Sequence, residues 1–300
     1  MIISPDICIT VEDYLFALGD KSPNTRKSAK RLLRQFLDWC ADQDLCKLDQ
    51  VKAVHIRKYT AYLRDRQLAD NTVQAHIRRI KAWLNWCARE DEYDDLISPK
   101  TLRNIEVPKA EQKVMNIIGK EAFERLYAAC EGTDFCKRNQ AILCLLMDTG
   151  VRVSELCGLM LSQVHITEDD SYIRVYGKGR KEREVDFGPR TRKVLRGYIT
   201  RYRKTVKSEQ HVFLSYQHGP LTVTGVEQAL NMIADKAGVH GIHPHLFRHS
   251  YAVGRLKSGT DVYRLSRLLG HASVAITEHY LRAFKASDAR TGNISVLDNL

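Results

Sequence analysis

The first ninety residues show the spacing of amphipathic helices. Apolar side chains recur every three or four positions over residues 29–40 and again over 73–87. Ahead of them, Thr10 with Asp13 fits the start of a capping box, and Ser22 fits an N-cap because proline follows it at the first helical position. The pattern therefore predicts a helical unit at the N-terminal end.

The amphipathic pattern ends after this unit, in a stretch that holds an acidic cluster and two prolines, Pro99 and Pro108. Proline restricts its own backbone and that of the residue before it, which suits an extended connector. We therefore expect a helical domain over residues 1–95, a linker over 96–113 and a second domain over 114–300.

The second part of the chain predicts helices together with a short β-hairpin. Residues 123–129 and 139–148 have helical patterns, and the latter is almost wholly apolar, as a core helix would be. Alternation over 172–176 predicts a strand, 184–187 reads as the returning strand, and a strongly basic helix is expected over 189–204. The fold class is therefore mainly α with a small β-sheet (α+β).

Charge then indicates the kind of partner. The formal net charge is +11, and residues 171–207 hold thirteen Lys and Arg against three acids, so the excess is concentrated. A basic excess favours a polyanion, with nucleic acid as the first candidate. A basic helix face is usually just solvated, but two such faces in one small unit favour phosphate contacts. The candidate DNA contacts are Arg26, Lys27, Lys30, Arg34, Arg78, Arg79 and Lys81, with Arg180, Lys181 and Arg183 in the concentrated segment.

Composition also indicates where such a protein works. The longest apolar run, residues 141–147, is far shorter than the roughly 20 residues of a membrane span, and the first residues lack the features of a secretion signal. The eight cysteines contain no CxxC pair, and several have apolar neighbours, as reduced packing residues do. We expect a cytoplasmic, nucleoid-associated protein with no membrane partner.

Two basic positions in the second domain are candidates for chemistry on a phosphate. Arg152 follows Gly150 at the start of a new helix, where free N–H groups and a guanidinium can bind phosphate oxygens. The alternative is an ion pair between Arg152 and Glu155 on a wet surface. Lys178 lies between two glycines at the hairpin tip, where its ammonium could protonate a leaving oxygen or could simply be solvated.

Two histidines and a tyrosine complete the set. His245 and Arg248 lie one turn apart behind a helix-starting proline, so that Arg248 could hold an anion while His245 moves a proton. His271 follows a glycine, and Tyr280 lies nine residues further on. Nearby cations would stabilise the ionised tyrosine as a nucleophile, although simple packing is the alternative for one of thirteen tyrosines. A histidine metal site is disfavoured because no HExxH motif occurs, so no metal or cofactor is expected.

These six positions together resemble the catalytic set of the tyrosine recombinases, the phage-integrase family. The flanking segments TGVRVSELCGL, GKGRKER, HLFRHSYA and LLGHASVAITEHY resemble the boxes of that family, over about residues 114–284. Residues 1–95 are similar to the core-binding domain of the family in helix count and basic faces. We expect no separate arm-site module ahead of them, so the chain looks closer to the Xer-like or transposon-encoded members of the family. The matching residues, in chain order, are Arg152, Lys178, His245, Arg248, His271 and Tyr280.

The resemblance implies both an architecture and a reaction. A core-binding domain and a catalytic domain would form a C-shaped clamp on double-stranded DNA. Arg152 and Arg248 would bind the scissile phosphate, Tyr280 would attack it to form a 3′-phosphotyrosyl link, and Lys178 would protonate the departing 5′-oxygen. His271 would hydrogen-bond the phosphate and steady the tyrosine. The remaining histidine of the set, His245, would exchange protons with the nucleophile or the phosphate.

The same resemblance implies a biological task. It is site-specific recombination for integration, excision or resolution of DNA elements, independent of metal and ATP. The partners would be a specific duplex site and further copies of the chain, as a tetramer on two sites. Two alternatives stay open at this point: a type IB topoisomerase-like enzyme that relaxes DNA, and a non-catalytic DNA-binding regulator on the same fold.

Overall fold

The computed structural model describes residues 6–109, 116–133, 135–177, 182–203, 210–271, 273–274 and 277. The chain divides into two compact units, Met1–Lys113 and Val114–Leu300. None of the helices in the described ranges combines the length and the apolar character needed to cross a membrane.

Five α-helices form the described part of the first unit. Ser22 caps the second of them by accepting a hydrogen bond from the Thr25 amide, as the sequence predicts. The predicted capping box at Thr10 is wrong: the first helix begins earlier, behind Asp6, whose carboxylate accepts from the Cys8 amide. Thr10 is buried in the first turn of that helix. The helices are α1 (Ile7–Ala17), α2 (Pro23–Ala41), α3 (Ala53–Asp65), α4 (Asp70–Cys87) and α5 (Pro99–Arg103).

Aromatic rings from three helices hold this unit together. Phe36 of α2 meets Tyr59 of α3 edge-on, with ring centroids 5.0 Å apart, and meets Trp83 of α4 at 6.2 Å. The Tyr59 hydroxyl lies 3.1 Å from Nδ1 of the buried His76, so both polar groups have a partner inside the apolar core. Such satisfied pairs avoid the cost of burying unpaired polar atoms.

The segment expected to be an extended linker contains a helix. Ser98 accepts a hydrogen bond from the Lys100 amide, and Pro99 occupies the first position of α5, where proline is favoured. Ile97 and Ile105 on either side are buried in the core of the first unit. Pro99 therefore starts a short helix, and residues 97–105 pack as part of the first unit.

The described part of the second unit is also mainly helical and holds one small sheet. The strands are β1 (Val164–Ile166), β2 (Ser171–Tyr176) and β3 (Glu182–Asp186), and the helices are α6 (Lys120–Ala129), α7 (Cys136–Thr149), α8 (Val153–Cys157), α9 (Pro189–Gly197), α10 (Val223–Ala237), α11 (Pro244–Lys257) and α12 (Val262–Leu269). The sheet is antiparallel, with its three strands in the order β1-β2-β3. The predicted hairpin is confirmed, with Val175 opposite Arg183, and the predicted basic helix is α9, which continues as a single π-turn over Tyr198–Tyr202.

Helix α7 is the centre of the second unit. Its residues 141–146 are all buried, as the apolar run predicts, and it packs against α9 and α11. It ends at Gly150, whose φ of 59° lies in the left-handed region that glycine adopts without strain. The ring of Tyr251 on α11 packs directly against this glycine. The turn after α7 is therefore fixed by close contact with α11.

All eight cysteines are free thiols, and four of them are buried. Burial raises the pKa of Cys40, Cys87, Cys130 and Cys144 to about 12. A thiol with such a pKa is protonated at neutral pH and reacts slowly, since the thiolate is the reactive form. These four cysteines behave as packing residues.

The close contact at Gly150 gives a stability prediction. A Cβ added there would lie 2.3 Å from Cδ1 of Tyr251, in a left-handed conformation. We expect Gly150→Ala to lower the free energy of unfolding by about 2–4 kcal/mol, measured by urea denaturation. Gly254→Ala in α11 is the matched control, since no atom lies within 4 Å of its added Cβ. That control should be neutral or slightly stabilising, and equal stability of Gly150→Ala and wild type would contradict the account.

Candidate active site

A buried arginine is at the centre of the candidate site. Helix α11 begins at Pro244, as the sequence predicts, and its Arg248 is only 4% exposed. Its Nη1 donates to the Gly150 carbonyl at 2.8 Å, and its Nη2 donates to the Leu269 carbonyl at 2.7 Å. The same Nη2 lies 2.8 Å from Nε2 of His271. Arg248 thereby joins the end of α7, the end of α12 and the histidine that follows it.

A second arginine reaches the same carbonyl from another helix. Arg152 is the N-cap residue of α8, and its Nη1 lies 3.4 Å from the Leu269 carbonyl oxygen. Its Nη2 donates to the Gly270 carbonyl at 3.1 Å. The side chain is 35% exposed, so part of the guanidinium is open to solvent. Arg152 and Arg248 therefore converge at the turn that ends α12.

His271 is neutral in this setting. Burial and the charges of Arg248, Arg152 and Arg183 lower the pKa of its imidazole to about 4. A guanidinium can only donate, so Nε2 of the ring accepts from Arg248. The proton must then be on Nδ1, which lies 2.8 Å from Oγ1 of Thr277 and donates to it. Thr277 was missed by the sequence analysis, although it lies three residues before Tyr280 in the same segment.

The ion pair considered as an alternative for Arg152 is present, but not on a wet surface. Nη1 of Arg152 lies 2.9 Å from Oε1 of Glu155, whose side chain is only 6% exposed. The Arg152 amide donates to the other carboxylate oxygen at 2.8 Å. Glu155 thus orients Arg152 at the start of α8, and pairing and phosphate binding are compatible. The spacing of three residues was the signal for Glu155.

Arg183, which the sequence predicts as a DNA contact, makes internal hydrogen bonds. Its Nη1 and Nη2 donate to the two oxygens of Glu155 at 3.0 and 2.7 Å, and its Nε donates to the Leu268 carbonyl at 2.7 Å. The side chain is only 11% exposed. Burial would raise the pKa of the Glu155 carboxyl, but the hydrogen bonds and charges of Arg183 and Arg152 outweigh it and lower that pKa. Glu155 is therefore ionised between two arginines.

The structure describes only one of the three remaining residues of the predicted catalytic set. His245 is exposed on α11, where partial desolvation and the charges of His243, Arg248 and Arg152 lower its pKa. Lys178 and Tyr280 lie outside the described residues, as do the candidate DNA contacts Arg180 and Lys181. Within the described ranges, no three His, Cys, Asp or Glu side chains are grouped to hold a metal ion.

The candidate DNA contacts of the first unit differ in exposure. Those on α4 include Arg78, which is exposed, and Arg79, which donates to the Tyr14 hydroxyl at 3.3 Å. Lys81 donates to the Ile105 carbonyl at 2.7 Å, so its ammonium supports the segment around α5. The candidates on α2 all project into solvent: Arg26, Lys27, Lys30 and Arg34.

Comparison with known proteins names the family to which this mainly helical fold and its two convergent arginines belong. A model of the phage integrase family matches residues 116–287, and a model of the phage integrase SAM-like domain matches residues 10–100. The chain belongs to the phage integrase family. Within it, the chain is a site-specific tyrosine recombinase of the Xer type, as similarity over nearly its whole length to Xer recombinases supports.

Three similar proteins illustrate that relationship. Tyrosine recombinase XerD of Oceanobacillus iheyensis is 32% identical over 286 residues, which cover 92% of this chain and 94% of that protein. The crystal structure of XerA recombinase aligns with 26% identity and a TM-score of 0.52, covering 94% of both chains. The structure of XerH recombinase bound to a palindromic difH substrate aligns with a TM-score of 0.74 at 18% identity, covering 91% of this chain and 80% of that one, and supports the fold alone.

The lowered pKa of His271 predicts a pH dependence of stability. The unfolded chain binds a proton on this residue near its usual pKa of 6.5, whereas the folded protein binds it only near 4. Stability must therefore fall as the pH drops below about 6.5 towards 4. We expect this group to account for a loss of about 2 kcal/mol in unfolding free energy between about pH 7 and about pH 5.

The measurement is urea unfolding at both pH values for wild type and His271→Asn. The variant should lose this part of the pH dependence, whereas His240→Asn, at an exposed position, should keep the dependence of the wild type. An unchanged dependence in His271→Asn would show that the folded protein does not exclude the proton from this ring.

Proposed function

We propose that this recombinase cleaves and rejoins duplex DNA at a scissile phosphate bound between Arg152 and Arg248. The convergence of these two guanidiniums on the Leu269 carbonyl carries the proposal. Planar guanidiniums bind two phosphate oxygens at once, and fixed donors stabilise the charge that develops in the transition state. Both arginines are held by carbonyls before any DNA binds, so little reorganisation is needed.

The chemical step follows from the resemblance to the family. The Oη atom of Tyr280 attacks phosphorus, the bond from phosphorus to the 5′-oxygen breaks, and a 3′-phosphotyrosyl link forms. Lys178 gives its proton to the departing 5′-oxygen. In the reverse direction a 5′-hydroxyl attacks the phosphotyrosyl bond, and the tyrosine leaves. The bond energy is retained in the link, so rejoining needs no nucleotide cofactor.

The two histidines have different roles in this proposal. The ring nitrogens of His271 face Arg248 and Thr277, so His271 acts on the phosphate by orienting the guanidinium of Arg248. His245 is exposed and has a lowered pKa, which favours a neutral ring able to accept a proton at neutral pH. We assign to His245 the exchange of protons with the nucleophile or the phosphate.

We further propose that the first unit binds DNA through α2 and α4. Exposed cations on α2, at Lys27, Lys30 and Arg34, follow one another at helical spacing and suit a row of phosphates. The groove between α2 and α4, lined by Arg78 and Arg79, extends this basic surface.

The relationship to Xer recombinases supports a tetramer on two duplex sites and action on DNA in the cytoplasm.

The nucleophile is tested by covalent trapping. Sequencing the DNA captured on the protein in cells identifies the target site, and a nicked duplex of that site prevents rejoining. We expect wild type to accumulate a protein–DNA adduct and Tyr280→Phe to form none, because the attacking oxygen is missing. DNA affinity should stay within about threefold, since phosphate contacts dominate it. A phenylalanine variant that still forms the adduct would contradict the role of Tyr280.

The same assay separates the two alternatives. A non-catalytic regulator would bind the duplex without forming any adduct in the wild type. A relaxing enzyme would form the adduct but would act as a monomer and would produce no exchange between two sites. Recombinant products from two target duplexes, formed together with the adduct, are therefore the expected result.

The DNA surface of the first unit is tested through salt dependence. In a Tyr280→Phe background, replacing Lys27, Lys30 and Arg34 by Gln should reduce the slope of log affinity against log salt by about 2–3, since each lost phosphate contact removes about 0.9. Lys47→Gln with Lys52→Gln, at exposed positions in the segment before α3, is the matched control. A slope that is unchanged in the triple variant would exclude α2 as the DNA-binding face.

A further inference from the structure

Glu155 lies between two arginines that differ in exposure and in geometry. Arg183 contacts it through two parallel hydrogen bonds of 3.0 and 2.7 Å and is 11% exposed. Arg152 contacts it through one guanidinium bond of 2.9 Å and is 35% exposed. Two parallel bonds form the stronger and more directional pair. The carboxylate is therefore paired mainly with Arg183, the more buried partner.

Arg183 is also held firmly in this position. Its Nε donates to the Leu268 carbonyl at 2.7 Å. On the other side it packs against Gly270, where an added Cβ would lie 2.9 Å from its Nη1. The guanidinium thus connects β3, the start of α8 and the end of α12, and it has little room to move away from Glu155.

The charges of Glu155, Arg152 and Arg183 determine how much positive charge is available to a substrate. Glu155 carries one negative charge and its two partners carry two positive charges, so one positive charge is left uncompensated. Because Arg183 occupies both carboxylate oxygens, the remaining charge belongs to the more exposed Arg152. We propose that Arg183 is a positioning residue that compensates Glu155 and so leaves the charge of Arg152 available to the scissile phosphate. This proposal rests on the function proposed above.

Removal of Arg183 alone has a specific consequence. Glu155 would remain buried with a single cationic partner, and Arg152 would form a neutral pair with it. A buried carboxylate with only one cationic partner attracts that cation strongly because water cannot solvate the negative charge. Arg152 would then offer less charge to the phosphate, and its guanidinium would be drawn towards Glu155. Removing the carboxylate as well would free Arg152 again.

The test is a double-mutant cycle on single-turnover cleavage of the nicked target duplex, at saturating protein. We expect Arg183→Gln to slow cleavage about 10²-fold, on the scale of losing one preorganised transition-state donor. The variant carrying both Arg183→Gln and Glu155→Gln should cleave at least about tenfold faster than Arg183→Gln alone. DNA affinity should change little in either variant. A structural role alone would make the double variant as slow as, or slower than, the single variant, and that result would overturn the proposal.

A conservative variant separates charge from packing if Arg183→Gln does not fold. Arg183→Lys keeps the positive charge but loses the paired hydrogen bonds, so the proposal expects cleavage within about tenfold of wild type. A lysine variant that folds and yet cleaves about 10²-fold slower would contradict it.

Arg174→Gln is the matched control. Arg174 lies on the neighbouring strand β2 and pairs with Glu182 and Glu184, but its side chain is 42% exposed. Cleavage by this control should equal that of wild type, and a loss as large as that of Arg183→Gln would mean that any broken hairpin ion pair has the same effect.

If wild type forms no adduct through Tyr280, the proposed function fails. If wild type forms it normally and the double variant is not rescued, only the role of Arg183 fails.

Discussion

The buried guanidinium of Arg248 is the interaction on which the candidate site depends. A charge that is 4% exposed needs hydrogen-bond partners inside the protein, and Arg248 donates to two backbone carbonyls and a histidine. Those partners come from the turn after α7, the end of α12 and His271, two residues beyond α12. The same bonds therefore hold the turn after α7, helix α11 and the end of α12 together.

This arrangement also determines the chemistry of its neighbours. Burial and the charges of Arg248, Arg152 and Arg183 keep His271 neutral, and a neutral ring can accept from Arg248 while it donates to Thr277. The excess of positive charge is moderated by a single carboxylate, Glu155, which is shared between two arginines. In the function proposed above, the site is a positively charged binding site for the scissile phosphate, and Arg152, Arg183 and Arg248 are oriented by internal contacts before substrate binds.

The sequence predicts the helices that carry the candidate residues better than it predicts the partners of those residues. The apolar period predicts α2, α4 and α7, and proline correctly indicates the start of α11. Partners separated by about a hundred residues, such as Arg248 and the Gly150 carbonyl, leave no periodic signal because they are created by tertiary packing. For the same reason, a basic side chain alone does not indicate a surface position. The sequence predicts Arg183 as a surface cation, yet it is buried against Glu155.

Proline illustrates a second limit of sequence patterns. The same residue type that suits an extended connector also suits the first turn of a helix, and at Pro99 the chain begins a helix that Ser98 caps. Basic side chains on α4 show a similar ambiguity, since Lys81 is used to hold the Ile105 carbonyl rather than projecting freely into solvent. Local spacing fixes which face a residue occupies, and long-range contacts decide what that residue does there.

The most direct test of this account is a crystal structure of the Tyr280→Phe variant bound to its target duplex. The account predicts that the non-bridging oxygens of the scissile phosphate lie within hydrogen-bonding distance of the guanidiniums of Arg152 and Arg248, with His271 still accepting from Arg248. A scissile phosphate bound elsewhere, with both guanidiniums making only their internal contacts, would contradict it.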